Sequence, residues 1–383
     1  MKQRIGIVLL VAIACTKAAA PPPSALASEA PVSDAVERLS LCDMARGGTV
    51  VSRTGEAILD TSAIHTIDGD PASFWMSPMH DLPQSMTIAF PARTRIERIG
   101  IRTAGKGGFS TKHVTFETST DGRAFSPLAS ITSKATDDPQ WFDVTPVESR
   151  YIRVTIPDSA VPNHDVRLYS ILARGTELEP ARGGDITGCW TLNGEQARFE
   201  RRGSQVVGIL QTGKEPMLFA GAFDGRIYRL SWIRGNDYGM TLMNVSPDGQ
   251  HLSAANWHEE AIPMFFDTAW FGERDKCSMT LPDSTQVAAA LLRRTGRYSL
   301  YDDSNVLPLL KLFPAHRFVA HEFRFPTAKE NHDAAERALA PLRKQFEGQN
   351  VEFVVAGSDN PRQQPVTEAM RALYSTIDLE IRR

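Results

Sequence analysis

Between residues 183 and 281 turn signals recur every eight to twelve residues, and no other feature of the chain restricts its fold as tightly. They are Leu192-Asn193-Gly194, Arg202-Gly203, Thr212-Gly213, Asp224-Gly225, Gly235-Asn236 and Pro247-Asp248-Gly249. The runs between them, at 205–211, 217–223, 226–233 and 239–245, have strand length and strand composition. Such a long meander is most stable when closed, because closure removes both unpaired edges. A small up-and-down β-barrel is therefore predicted for residues 183–281. Cys189 and Cys277 bracket it, so a bridge between them would join its two ends; Cys42–Cys189 is the alternative, since spacing does not fix connectivity. Trp190, Trp232, Trp257 and Trp270 either fill such a barrel or line a ligand cavity, and filling is the commoner use. Gly188-Cys189-Trp190 resembles the Gly-x-Trp start of lipocalins. Only the small barrel is taken from that likeness, with a carrier for a small apolar ligand as one functional alternative.

Upstream, the stretch Ile64-His65-Thr66-Ile67-Asp68-Gly69-Asp70-Pro71-Ala72-Ser73-Phe74-Trp75 is turn chemistry. Two carboxylates two residues apart, with a hydroxyl three later, also suit a hard cation. A surface turn delivering Trp75 into a core explains the same residues. Short alternating runs follow at 87–90, 96–102, 113–119 and 150–156, with Asp121-Gly122 as a further turn. The order of these runs, with Asp121-Gly122-Arg123-Ala124-Phe125 and Ser149-Arg150-Tyr151-Ile152-Arg153-Val154, resembles the discoidin family (coagulation-factor C-type, galactose-binding-like) over residues 42–178. The resemblance implies a jelly-roll β-sandwich that binds ligands at its loops. It also implies a structural Ca²⁺ on the loop matched by Asp68, Asp70 and Ser73, helped by a Glu whose place is taken by Ser170. Losing that carboxylate weakens such a site. Phe109, in the loop 105–110, is the aromatic placed to stack on a ligand; an ordinary rim position is the alternative.

The first residues are a targeting segment. Lys2 and Arg4 precede an apolar stretch at 5–14 that is too short to span a bilayer, so residues 1–14 read as a signal peptide. Ala12-Ile13-Ala14-Cys15 resembles a bacterial lipoprotein box, although Ala12 stands where Leu is usual. This implies cleavage before Cys15, lipid on Cys15, and attachment to the outer membrane. Cleavage after Ala25-Leu26-Ala27 is the alternative. Residues 15–41, with Pro21-Pro22-Pro23, would then form a semi-extended tether.

Residues 284–383 change to mixed α/β character, with helices expected near 287–294, 328–345 and 367–374 and strands at 297–301, 351–356 and 377–381. Thr295-Gly296-Arg297, Asn331 with Glu336-Arg337, Gly357-Ser358-Asp359-Asn360-Pro361 and Asp378-Leu379-Glu380-Ile381 resemble the OmpA-like peptidoglycan-associating domain. The family's ligand-gripping Asp is matched by Phe323 and its Arg by Ala338, beside Arg337. Loss of both charges implies a degenerate domain with a weakened grip on peptidoglycan.

The whole is thus expected to be a multidomain, mainly β chain: sandwich, barrel, then α/β domain. A net charge of −3 with no basic run gives nucleic-acid binding no support. No nucleophile elbow, phosphate loop or paired-Cys metal motif occurs, and His258-Glu259-Glu260 lacks the second His of a zinc helix. Asp68 and Asp70 lie on one turn, where a glycosidase pair cannot face each other across a substrate. The expected function is non-enzymatic: a lipid-anchored envelope protein that binds a glycan or another envelope polymer, with no cofactor beyond the possible Ca²⁺. A peptidoglycan tether through Asn331 and Arg337 is the alternative.

Overall fold

A computed structural model describes residues 39–58, 61–79, 81–105, 108–258, 268–300, 306–322, 329–355, 369, 373 and 377–382. Its first unit is antiparallel: β1 (Thr49–Arg53), β2 (Trp75–Met76), β3 (Gln84–Thr103), β4 (His113–Ser119), β5 (Ser126–Thr132), β6 (Gln140–Ile156) and β7 (Arg167–Glu177). The order is β2-β7-β3-β6-β4-β5, with β1 on β3. The β3–β6 ladder is interrupted between Ala89 and Thr94, around Pro91, which has no N–H to donate. Both halves of β3 line one core through Met86, Ile88 and Phe90, then Ile96, Ile99 and Ile101. The jelly-roll sandwich follows from alternation, with Ile152, Val154 and Ile156 of the neighbouring β6 lying beside these residues in the same core.

The middle strands are β8 (Gly188–Leu192), β9 (Glu195–Arg202), β10 (Gln205–Leu210), β11 (Met217–Phe223), β12 (Tyr228–Arg234), β13 (Asp237–Val245), β14 (His251–His258) and β15 (Thr268–Asp275). Each pairs with the next, and β15 pairs with β8, so the barrel is closed. The β8–β9 turn is two residues, Asn193 (φ 46°) and Gly194 (φ 91°), the left-handed pair that a tight hairpin requires. Trp190, Phe199, Phe219, Tyr228, Leu230 and Trp232 are fully buried inside, with Trp270 at the margin. Gly208 lies under the Phe199 ring, where a Cβ would meet Cδ1 at 2.2 Å. The described tryptophans therefore pack the lumen, which removes the main support for the carrier alternative. The side chain of Trp257 is outside the described residues.

The last part contains α1 (Ser284–Thr295), β16 (Arg297–Leu300), α2 (Val306–Leu312), β17 (Arg317–Glu322), α3 (Lys329–Gln345), β18 (Val351–Val355) and β19 (Ile377–Arg382). The sheet order is β16-β19-β17-β18, with β17 and β18 parallel across the α3 connection. Asp283 caps α1 by accepting from Gln286 N at 2.9 Å, and Gly296 (φ 75°) ends it. Of the helix expected near 367–374, only Ala369 and Leu373 are described, and both are buried.

The three segments do not behave as separate beads. One core joins the sandwich to the outer wall of the barrel through Ile227, Met240, Leu242, Ala255 and Ala269, together with Leu373. A second joins Ala220 and Ile233 of the barrel to Val287, Leu291 and Leu292 of α1. The barrel lumen is the third. Packing on both sides of the barrel wall explains why β12 and β13 are buried along almost their whole length, although Arg229, Ser231, Thr241 and Asn244 interrupt their apolar residues.

Candidate functional site

The 64–75 stretch is a 3-10 turn (Ala63–Thr66) leading into a tied loop. Asp68 Oδ2 lies 2.9 Å from His65 Nδ1, Asp68 Oδ1 accepts from Asp70 N at 2.9 Å, and Ser73 Oγ reaches both Asp68 oxygens at 2.9 and 2.8 Å. Asp70 Oδ1 accepts from Ala72 N at 2.8 Å. Asp68, Asp70 and Ser73 are each only 3% exposed. Gly69 (φ 73°) is pressed against Ala369, whose Cβ lies 2.2 Å from where a Cβ on Gly69 would stand. Protein groups thus occupy the Asp68 oxygens, and Ala369 of the C-terminal part stands against the turn. Among the described residues no group of three or more His, Cys, Asp or Glu is placed to hold a metal ion.

Beside this loop, burial pushes the Asp43 carboxyl up to about 7, with the Asp68 carboxylate adding to the effect and Arg46 opposing it. An unfolded Asp titrates near 4. The folded state thus holds the extra proton between about pH 4 and 7, and stability falls as pH rises through that window. Denaturant unfolding should show a loss on the order of a few kcal/mol from pH 4 to 8. Asp43→Asn, which keeps an acceptor for Ser40 N, should flatten that slope; an unchanged slope would show that Asp43 is not its source.

The exposed chemistry lies one strand away. Trp75 and Leu168 are paired and turn inward, Trp75 Nε1 donating to Gly55 O at 2.9 Å. Alternation therefore turns Phe74, Arg167 and Tyr169 outward. Phe109 joins them because its carbonyl accepts from Arg167 N at 2.9 Å. The Arg167 guanidinium carbon sits 3.9 Å from the Phe109 ring centre and 4.9 Å from that of Phe74. Phe74 meets Tyr169 edge-on at 5.7 Å, Arg102 lies 5.0 Å over Tyr169, and His164 flanks Phe109 at 6.3 Å. Arg102 is fixed by donating to Pro71 O and Asp137 O, both at 2.6 Å. Arg167 Nε is buried with no hydrogen-bond partner among the described residues.

The result is a half-buried row of ring, guanidinium, ring, ring and guanidinium. Rings offer π-faces, and desolvated guanidinium groups are strong directional donors. Phe109 was visible in the sequence; Phe74, Arg102, Arg167 and Tyr169 were not. The available signal was period-two alternation about Trp75 and Leu168, which puts Phe74, Arg167 and Tyr169 on one face.

Residues 50–169 match the F5/8 type C domain. The segment with the guanidinium row is thus similar to that family, while the match covers less than a third of the chain. Similar solved structures include the C-terminal domain of a chitobiase from Bacteroides fragilis, at 28% identity over 35% of this chain and 96% of that one, TM-score 0.32. Another is CpGH89CBM32-5 from Clostridium perfringens in complex with GalNAc-β-1,3-galactose, at 15% identity over 34% and 96%, TM-score 0.30. A third is the family 32 carbohydrate-binding module from Streptococcus pneumoniae EndoD, at 16% over 35% and 99%, TM-score 0.31. No curated protein matches the chain.

Outside the F5/8 type C domain, Cys189 and Cys277 form a disulfide with Cα atoms 5.7 Å apart. The alternative Cys42–Cys189 pair is excluded, because Cys42 is a buried free thiol whose pKa burial pushes up. Arg337 is exposed on α3, and Asn331 lies on the same helix with its side chain outside the described residues. Phe323 and Cys15 are also outside them, as is the side chain of Ala338.

Proposed function

We propose that the protein is a glycan-binding protein that grips its ligand with the F5/8 type C domain. The observation that carries this reading is the Arg167 guanidinium held between the Phe109 and Phe74 rings. Sugar rings present C–H faces for stacking and hydroxyls for charge-assisted hydrogen bonds, and the row supplies both kinds of partner. The domain is braced on a barrel, so the surface is pre-organised and loses little conformational freedom on binding. The leader and Cys15 read from the sequence agree with an envelope setting, as a supporting argument. The reading is binding without turnover.

Glycan-array screening of the full chain, followed by calorimetry on the retained glycans, tests this. Phe109→Ala and Arg167→Ala should each weaken binding about tenfold, near 1.4 kcal/mol, with thermal stability close to that of the parent. Retention of no glycan, or equal retention by both variants, would remove the reading.

A further inference from the structure

The row does not end at Arg102. On β3, residues 98, 100 and 102 face the same way as Tyr169, between β6 and β7. Gly100 is paired with Trp141 of β6 and Leu172 of β7. The absent side chain matters here: a Cβ on Gly100 would meet Trp141 Cε3 at 3.0 Å, so the indole lies over the glycine. Arg98 and Arg174, paired across β3 and β7, flank that indole at 5.5 and 4.5 Å. Arg174 is exposed, and the Arg98 side chain is 41% exposed.

Two clusters thus continue each other along the strands, Arg98–Trp141–Arg174 and then Arg102–Tyr169–Phe74–Arg167–Phe109. From Arg174 to Arg167 is seven steps along β7, roughly 24 Å at 3.4 Å per residue. This is long enough for several consecutive sugar rings and too long for one. The charge balance is one-sided. Arg98 pairs with Asp143 at 2.7 Å, and the Asp137 carboxylate accepts from Gly105 N. Among the described residues no carboxylate lies within ion-pair distance of Arg102, Arg167 or Arg174. In a chain of net charge −3, four arginines on one sheet face with a single pairing carboxylate form a local positive stripe. Planar guanidinium forks match carboxylate and sulfate oxygens, and the rings between them match sugar faces.

We infer that the outer face of β7, β3 and β6 is a track for an acidic polysaccharide, which lies along the strands from Trp141 to Phe109. This rests on the glycan-binding reading and names the ligand class. The full chain is titrated with polygalacturonate, chondroitin sulfate, neutral galactan and a single-stranded DNA oligonucleotide, at low and high salt. At least one acidic polysaccharide should bind about tenfold more tightly than galactan, with affinity falling steeply as salt rises. Trp141→Ala and Arg174→Gln, both at the sheet surface far from Phe109, should each weaken that binding about fivefold or more. Galactan bound as tightly as the acidic polymers would overturn the track while leaving the glycan reading intact. So would acidic binding that neither variant weakens. DNA bound equally well, with the same loss in the variants, would overturn the choice of occupant. Binding of no polysaccharide would remove both readings.

Discussion

Asn244→Ala is expected to lower the free energy of unfolding by about 2–4 kcal/mol. Asn244 stands on the outer wall of β13, fully buried, and its Nδ2 donates to Met44 O at 2.9 Å and Gly48 O at 2.8 Å. It therefore ties the barrel to the turn that leads into β1 of the sandwich. Met44 O keeps a second donor in Gly47 N, so the main penalty is the stranded Gly48 carbonyl and the space left by the amide. Nearby links act in the same direction: Val50 N donates to Ser253 Oγ at 3.2 Å, Tyr151 Oη to Asp248 Oδ2 at 3.2 Å, and Arg53 stacks on Phe271 at 3.5 Å. Because sandwich and barrel share one core, urea denaturation followed by tryptophan fluorescence should show them losing structure together, and the variant should shift that transition as a whole. A shift under about 0.5 kcal/mol, or a sandwich that unfolds separately from the barrel, would show the junction to be a loose contact.

Removing the bridge with Cys189→Ser and Cys277→Ser together should cost on the order of 4 kcal/mol, because the bond closes a loop of 88 residues in the unfolded chain. Its position adds a second reason. The seam that closes the barrel, β15 on β8, is short and runs only from Gly272 opposite Leu192 to Asp275 opposite Cys189. The bridge fastens that seam at its end, next to the Trp190 that heads the lumen core. Unfolding of the parent chain in reductant should approach the double variant. A Cys42→Ala control should respond to reductant as the parent does, since Cys42 takes no part in the bridge. A loss under about 1 kcal/mol would mean that the seam holds without the bridge.

Much of this architecture was legible in the sequence because it is local. Asn193-Gly194 and the other spaced turns set the barrel meander, and alternation about Trp75, Ile88 and Ile152 set the sandwich. The helix expected near 287–294 lies within α1. These signals need only neighbouring residues, so they survive without knowledge of the fold. The candidate site was legible in one residue, Phe109.

What only the tertiary structure decided is which surfaces stay exposed. The Asp68 turn has the composition of a ligand loop, yet Ala369, three hundred residues later, stands against it. Met240, Leu242 and Asn244 lie on the outside of a barrel and are nevertheless core, because a sandwich lies on that wall. Phe74, Arg102, Arg167 and Phe109 come from four separate stretches and meet only when β2, β7 and β3 pair. A residue's periodicity fixes which side of its own strand it occupies. Whether that side meets water, another core or a partner guanidinium depends on long-range packing, and no spacing along the chain encodes it.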